Sequence, residues 1–315
     1  MNHSLKRLAA AVPALLALSL VTAPLTPAAW AQSAGTQLED ASGRKVQIRD
    51  AKRVVTLSGG VTEIVYALKA GSRVVGTDIT SMYPREAIRL PKIGQDRRIS
   101  AEGVIALNPS LVIAPKDAEP SSALNQLRAM GVSVLLVSDE QSLSGARDRI
   151  QLISRALGVE AEGKKLLATL NRQTMEAQAI SAPSRPLKVL FIYARGAGSL
   201  NVAGTDTAAH AMLTLAGAQN AVTEFTGYKP FTAEATIKAS PDIVMITESG
   251  AKSLGGADAI FKLPGLAQTP AGAMKRVIAM DDLLLLSFGP RTGLALTELR
   301  HELYSAQKAP KTAKP

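Results

Sequence analysis

Apolar and polar positions alternate along this chain in blocks, and the blocks have two lengths. V54-V-T-L57 is a short apolar run that reads as a buried strand, followed by S58-G-G60. T62-E-I-V-Y-A-L-K69 then carries apolar residues at helical spacing and stops at Gly71. R73-V-V-G76 is a second short strand, and A101-E-G-V-I-A-L107 a helix broken by Asn108-Pro109. L111-V-I-A114, the helix S122-A-L-N-Q-L-R-A-M130 and the strand V132-S-V-L-L-V137 continue the alternation. Strands alternating with helices of this length predict an α/β fold with a mainly parallel sheet. From Ser142 to about Ile180 the period is helical throughout, and Gly158 is not a clear stop within it. The breaker segment S181-A-P-S-R-P186 ends that run, and strand-like periodicity resumes at L187-K-V-L-F-I-Y193 and again at L283-L-L-L-S287.

The two α/β stretches echo each other. A101-E-G-V-I-A-L-N-P-S-L-V-I-A114 aligns with A233-E-A-T-I-K-A-S-P-D-I-V-M-I246 at a constant offset of 132, with five of fourteen positions identical. This predicts two similar α/β lobes separated by a long helix, with a cleft between them. The expected boundaries are a leader at 1–31, a first lobe at 32–141, a connecting helix at 142–181, a second lobe at 182–306 and a basic tail at 307–315. Open α/β sheets bind ligands at the carboxyl ends of their strands. The loops G94-Q-D-R-R-I99 and G227-Y-K-P-F231, upstream of the two copies, are therefore expected at one cleft, with F288-G-P-R-T-G293. They offer Arg97, Arg98, Tyr228, Lys229 and Arg291.

Composition narrows the chemistry. Lys6 and Arg7 precede the apolar stretch from Leu8 to Val21, and Ala29-Trp30-Ala31 has the small-x-small form of an export cleavage site. Cleavage there removes Lys6 and Arg7 and lowers the net charge from +10 to +8. There is no cysteine, hence no disulfide, thiolate or lipobox chemistry. The positive charges are dispersed without interleaved aromatics, which argues against a nucleic-acid surface and for attraction of anionic ligands or membranes. Hydrolase and nucleotide motifs are absent: there is no G-x-S-x-G, no H-E-x-x-H and no phosphate loop. His210 and His301 are the histidines beyond the leader; a hydrolase acting through His210 is the remote alternative. No reaction is expected of this chain.

One stretch stands out as a ligand position. In T80-S-M-Y-P-R85, proline pushes Tyr83 toward an extended conformation, so its side chain is expected to project from a loop. Such a tyrosine either packs or binds. Tyrosinate is a hard oxygen donor that suits ferric iron, including haem iron, and Arg and Lys are natural partners for haem propionates.

These segments resemble a family. V54–L68, V75-G-T-D-I-T-S-M-Y-P-R85, L90-P-K-I-G94, S100–A114, A203-G-T-D-T-A-A-H-A-M212, L215-A-G-A-Q-N-A-V222, G227-Y-K-P-F-T-A-E-A235 and G289-P-R-T-G293 are similar to haem-binding periplasmic proteins of bacterial ABC importers. The wider class also binds cobalamin and ferric siderophores, which are the alternative ligands. The resemblance implies two lobes joined by one long rigid helix, with Tyr83 as the haem iron ligand. Arg97, Arg98, Tyr228, Lys229 and Arg291 become propionate or pocket residues. His210 would be a second ligand, as in relatives that hold two stacked haems. The resemblance also implies a monomeric carrier in the periplasm, an inner-membrane permease with its ATPase as partner, and an outer-membrane receptor upstream. Glu63 would dock on permease arginines. On the second lobe Thr214 stands where relatives can carry an acid, leaving Glu224 or Glu234 as docking residues.

Overall fold

The computed structural model describes residues 35–94, 98–118 and 120–305. The leader at 1–31, the tail at 307–315 and Arg97 lie outside the described residues.

A hairpin of β1 (Thr36–Glu39) and β2 (Lys45–Ile48) opens the described chain, an element the sequence pattern did not reveal. The first lobe follows as β3 (Val54–Thr56), α1 (Gly59–Ala67), β4 (Val74–Thr77), the single turn α2 (Arg85–Ile88) and α3 (Ala101–Ala106). It is completed by β5 (Leu111–Pro115), α4 (Ser121–Ala129) and β6 (Ser133–Val137). Strands lie in the order β4-β3-β5-β6, all parallel. Neighbouring residues on one strand feed opposite cores. Val54 and Leu111 pack with Ile64, Ile150 and Leu170 on one face, whereas Val55 and Val112 pack with Val104, Leu124 and Leu127 on the other. A sheet covered on both faces needs the uninterrupted apolar runs seen in the sequence.

The helical run is divided. α5 (Leu143–Ala156) ends before Gly158, whose φ of +65° is a conformation glycine adopts without strain, and α6 (Glu160–Ala179) begins after it. The single helix expected over 142–181 is thus two, and the 20-residue α6 is the long element between the lobes.

The second lobe comprises β7 (Lys188–Ala194), β8 (Leu200–Ala203), α7 (Ala208–Leu215), β9 (Gln219–Asn220), β10 (Tyr228–Pro230), α8 (Ala233–Ala239) and β11 (Ile243–Thr247). Three short helices, α9 (Glu248–Ser253), α10 (Ala257–Ile260) and α11 (Pro270–Ala273), lead to β12 (Val277–Met280). α12 (Asp282–Leu286) and α13 (Thr292–Ser305) close the described chain. The sheet runs β10-β8-β7-β11-β12, with β9 also beside β7; β7, β9, β11 and β12 are parallel, and β8 runs antiparallel to both of its neighbours, β7 and β10.

The internal repeat is structural. At an offset of 132, α3 and α8 begin at Ala101 and Ala233, and β5 and β11 begin at Leu111 and Ile243. Ser100 and Thr232 cap the two helices in the same way, each accepting from the backbone N–H three residues on.

Two expectations fail here. L283-L-L-L286 lies in α12, because Asp281 caps it by accepting from the Leu284 N–H and a run of leucines carries no period to distinguish helix from strand. Tyr228 and Lys229 lie on an edge strand rather than a loop, a position where Pro230 needs no ladder N–H.

The lobes meet closely. A Cβ on Gly60 would lie 3.1 Å from the Ser287 carbonyl oxygen, and one on Gly293 would lie 2.6 Å from Gln173 Cβ of α6. Arg149 of α5 is buried and donates to the carbonyls of Ser138 and Glu140 and, at 2.8 Å, to that of Phe288.

Candidate functional site: a tyrosine under an interlobe cation

Tyr83 is held out by a loop whose polar groups are satisfied internally. After β4, Asp78 accepts from the hydroxyls of Thr80 and Ser81, both at 2.6 Å. The Thr80 hydroxyl oxygen in turn accepts from the Gly59 N–H at the start of α1. Ser81 is fully buried, and its hydroxyl joins those of Thr62 and Thr56 in a chain with 2.7 Å links. Lys92 closes the other side: its ammonium donates to Thr77 Oγ1 and to the carbonyls of Ser81 and Ala87. Burial moves the Lys92 pKa below its usual value, with Asp78 working the other way. A loop pinned at Thr80, Ser81 and Ala87 presents the intervening residues outward, and Tyr83 is 47% exposed.

Arg291 reaches this tyrosine from the second lobe. Its guanidinium carbon lies 3.8 Å from the centre of the Tyr83 ring, a stacked cation–π contact. The same guanidinium donates to both carboxylate oxygens of Glu63, from Nε to Oε2 at 3.0 Å and from Nη2 to Oε1. Burial raises the Glu63 pKa above the usual carboxylate value, against the pull of Arg291. Burial also works against the charge on Arg291, but Glu63, with Tyr83 and Asp281, outweighs it and holds that pKa above the ordinary value.

Glu63, Tyr83, Pro84 and Arg291 line a cavity of about 650 Å³. Tyr66, Ala67, Leu166, Gln173 and Leu294 supply other parts of its wall, with Lys69 and Glu86 as charged groups. A largely apolar concavity with a few convergent polar groups is the usual form of a small-molecule site.

The expected docking role of Glu63 is not supported. Glu63 is 2% exposed and paired with Arg291, so a partner's arginine would have to displace a buried ion pair to reach it. The other predicted residues are dispersed. Arg98 is exposed and lines a different cavity, walled by Pro91, Lys92, Ile93 and Gly94, that shares no lining residue with the first. Tyr228 packs against Tyr193 with ring centres 5.8 Å apart and planes tilted by 55°, Arg195 also lies over the Tyr193 ring, and the Lys229 ammonium lies over Phe225. His210 is half-buried on α7, its Nδ1 3.5 Å from the Asn220 amide.

Glu224 and Glu234 are both exposed. Backbone N–H donation from its own residue and from Thr223 holds the Glu224 pKa below the usual value. Glu234 occupies the first turn of α8, and Glu102 occupies the first turn of α3, also exposed. Glu102 escaped the sequence reading as a site residue, although the 132-residue offset aligns it with Glu234.

Comparison with known proteins places this geometry. Residues 54–284 match the family model described as periplasmic binding protein. The periplasmic heme-binding protein RhuT from Roseiflexus sp. RS-1, in apo form, is 41% identical and superposes with a TM-score of 0.78 over 82% of this chain and 100% of that one. The periplasmic heme-binding protein BhuT, solved with two hemes, is 39% identical with a TM-score of 0.77, over 82% of this chain and 99% of that one. An uncharacterized ABC transporter substrate-binding lipoprotein of Bacillus subtilis (strain 168), YvrC, is 33% identical over 272 residues, 85% of each chain. Two α/β lobes built on a 132-residue repeat, with their facing loops around one tyrosine, are thus those of a member of the periplasmic binding protein family.

Proposed function

We propose that this chain is the haem-capturing subunit of an ABC importer, exported by its leader, and that Tyr83 is the ligand to the ferric iron. Membership of a solute-binding family supports a carrier rather than an enzyme. Similarity at 41% and 39% identity to two heme-binding proteins favours haem over the other cargoes of the class. The observation that carries the tyrosine reading is the pairing of a half-exposed phenol, on a rigidly pinned loop, with a guanidinium across its ring. The phenol oxygen is a hard donor that suits ferric iron. Arg291 is engaged by Glu63 and Tyr83, so propionate contacts fall to other cations, with Arg98, Lys229 and Arg195 as candidates. The deciding experiment is a haemin titration of the leader-free protein beside Tyr83→Phe, read by visible absorption. Saturable binding with a ferric phenolate spectrum that Tyr83→Phe lacks supports the reading; absence of haem binding by the wild type overturns it. A stoichiometry above one that His210→Ala reduces would make His210 the second ligand.

Delivery requires docking on a permease. We assign that contact to Glu102 and Glu234, exposed carboxylates at equivalent positions of the two lobes, with Glu224 as a neighbouring charge on the second. Two like charges related by the internal repeat suit a partner that presents a basic residue from each of two similar halves.

A further inference from the structure

We propose that Glu63 is the positioning residue of the tyrosine site: a buried first-lobe carboxylate that holds second-lobe Arg291 in the one orientation that covers the Tyr83 ring. Its functional meaning rests on Tyr83 being the haem ligand; its geometry does not. The Glu63 side chain is 1% exposed and accepts from two nitrogens of the same guanidinium, a fork that fixes the plane of the group as well as its place. With the group so held, the guanidinium carbon of Arg291 lies over the Tyr83 ring, 3.8 Å from its centre. Arg291 belongs to the loop between α12 and α13, whereas Glu63 and Tyr83 both belong to the first lobe.

The backbone enforces this approach. A Cβ on Gly289 would lie 3.4 Å from Glu63 Oε2 and 3.6 Å from Gly60 Cα, so the loop packs directly against α1 at van der Waals distance. Upstream, the Phe288 carbonyl is held by Arg149, and downstream, Gly293 packs on α6. The guanidinium is therefore delivered from a fixed loop to two first-lobe acceptors at once. Parting of the lobes at this seam breaks both contacts together, withdrawing the cation from the tyrosine in the same movement that frees its ring. Lobe closure and the grip on the iron ligand are thereby one event.

The test uses leader-free protein with ring-13C-labelled tyrosine, the Tyr83 resonance being assigned by its loss in Tyr83→Phe. Glu63→Gln preserves shape, and Arg291→Lys preserves charge while losing the fork; melting temperatures verify folding. Both variants are expected to shift the Tyr83 resonance of the apo-protein and leave that of Tyr304, which donates to the Ala216 carbonyl, in place. Haem transfer to excess apomyoglobin should accelerate by about tenfold or more in Glu63→Gln, the range for an outer residue that orients a ligand. That acceleration should vanish when Glu63→Gln is made in Tyr83→Phe. An unmoved Tyr83 resonance in folded Glu63→Gln, or an equal acceleration in the Tyr83→Phe background, overturns the proposal and leaves Glu63 as an interlobe strut. If the wild type takes up no haem, the ligand reading fails separately, and the resonances still decide the positioning role.

Discussion

Arg291 stacks on Tyr83 at 3.8 Å although 208 positions separate them, so the tyrosine site belongs to both lobes at once. Tyr83→Phe keeps the ring and its stacking on Arg291 but deletes the oxygen. Haem affinity should fall by more than about a hundredfold, since even outer residues that only orient a ligand cost about 10–100-fold. Competition titration against a haem scavenger measures it.

The buried carboxylate makes a pH prediction. Burial raises the folded-state pKa of Glu63 above the usual carboxylate value of 4.5. Between those two values the folded protein holds a proton that the unfolded chain has lost, so stability falls as pH rises through the folded pKa. Relative to Glu63→Gln, the wild type should gain stability on acidification from neutral pH, and the difference should level off below about pH 4.5. Urea unfolding of both proteins across pH 4–8 tests this; an unfolding free-energy difference that is flat across the range contradicts it.

Arg149 should be the most costly single residue at the seam. Burial holds its pKa down to about 10, opposed by Glu140, Asp139 and Asp148, so it remains charged at neutral pH. Arg149→Met would leave the carbonyls of Ser138, Glu140 and Phe288 without this donor. Only the Phe288 contact is buried, the other two being part-buried, so the loss should be about 1–3 kcal/mol, the cost of one unsatisfied buried group. A large fall in the urea midpoint is the expected readout.

Gly59 is predicted to tolerate no side chain. A Cβ there would sit 2.4 Å from Leu283 Cδ1 and 2.6 Å from the Thr80 carbonyl oxygen. Overpacking of this kind costs about 1–3 kcal/mol. Because Thr80 belongs to the loop that carries Tyr83, Gly59→Ala should weaken haem binding as well as lower the melting temperature. Full affinity in a destabilised variant would show that the loop absorbs the clash.

Glu102→Ala and Glu234→Ala should leave haem titrations unchanged and reduce stimulation of the importer's ATPase in proteoliposomes. An exposed ion pair is worth about 0.2–1 kcal/mol, so each single change should act a few-fold at most and be sensitive to salt. Charge reversal of both should abolish stimulation. The same substitutions at Glu224 separate its contribution.

Much of this architecture is local in origin. Buried parallel strands need continuous apolar runs, and helices between them need the 3.6-residue period, so V54–L57, L111–A114 and the intervening helices were legible one segment at a time. The offset of 132 exposed the repeat because each copy must cap, break and bury at the same places to fold as the same unit. Proline after Tyr83 likewise marked a projecting loop from nearest-neighbour sterics alone. Period could not resolve L283–L286, where every residue is apolar, and the cap at Asp281 decided for helix. Nor could it tell that Glu63, on a helix that reads as ordinary, lies buried; that depends on a partner 228 residues away. Ion pairing and stacking across a lobe seam leave no periodic trace in either segment, because each residue's local neighbours are indifferent to them. The tertiary structure alone decided that Glu63 faces inward, that Arg291 belongs to Tyr83 rather than to a free cation set, and that Glu102 and Glu234, matched by the sequence repeat, both face outward.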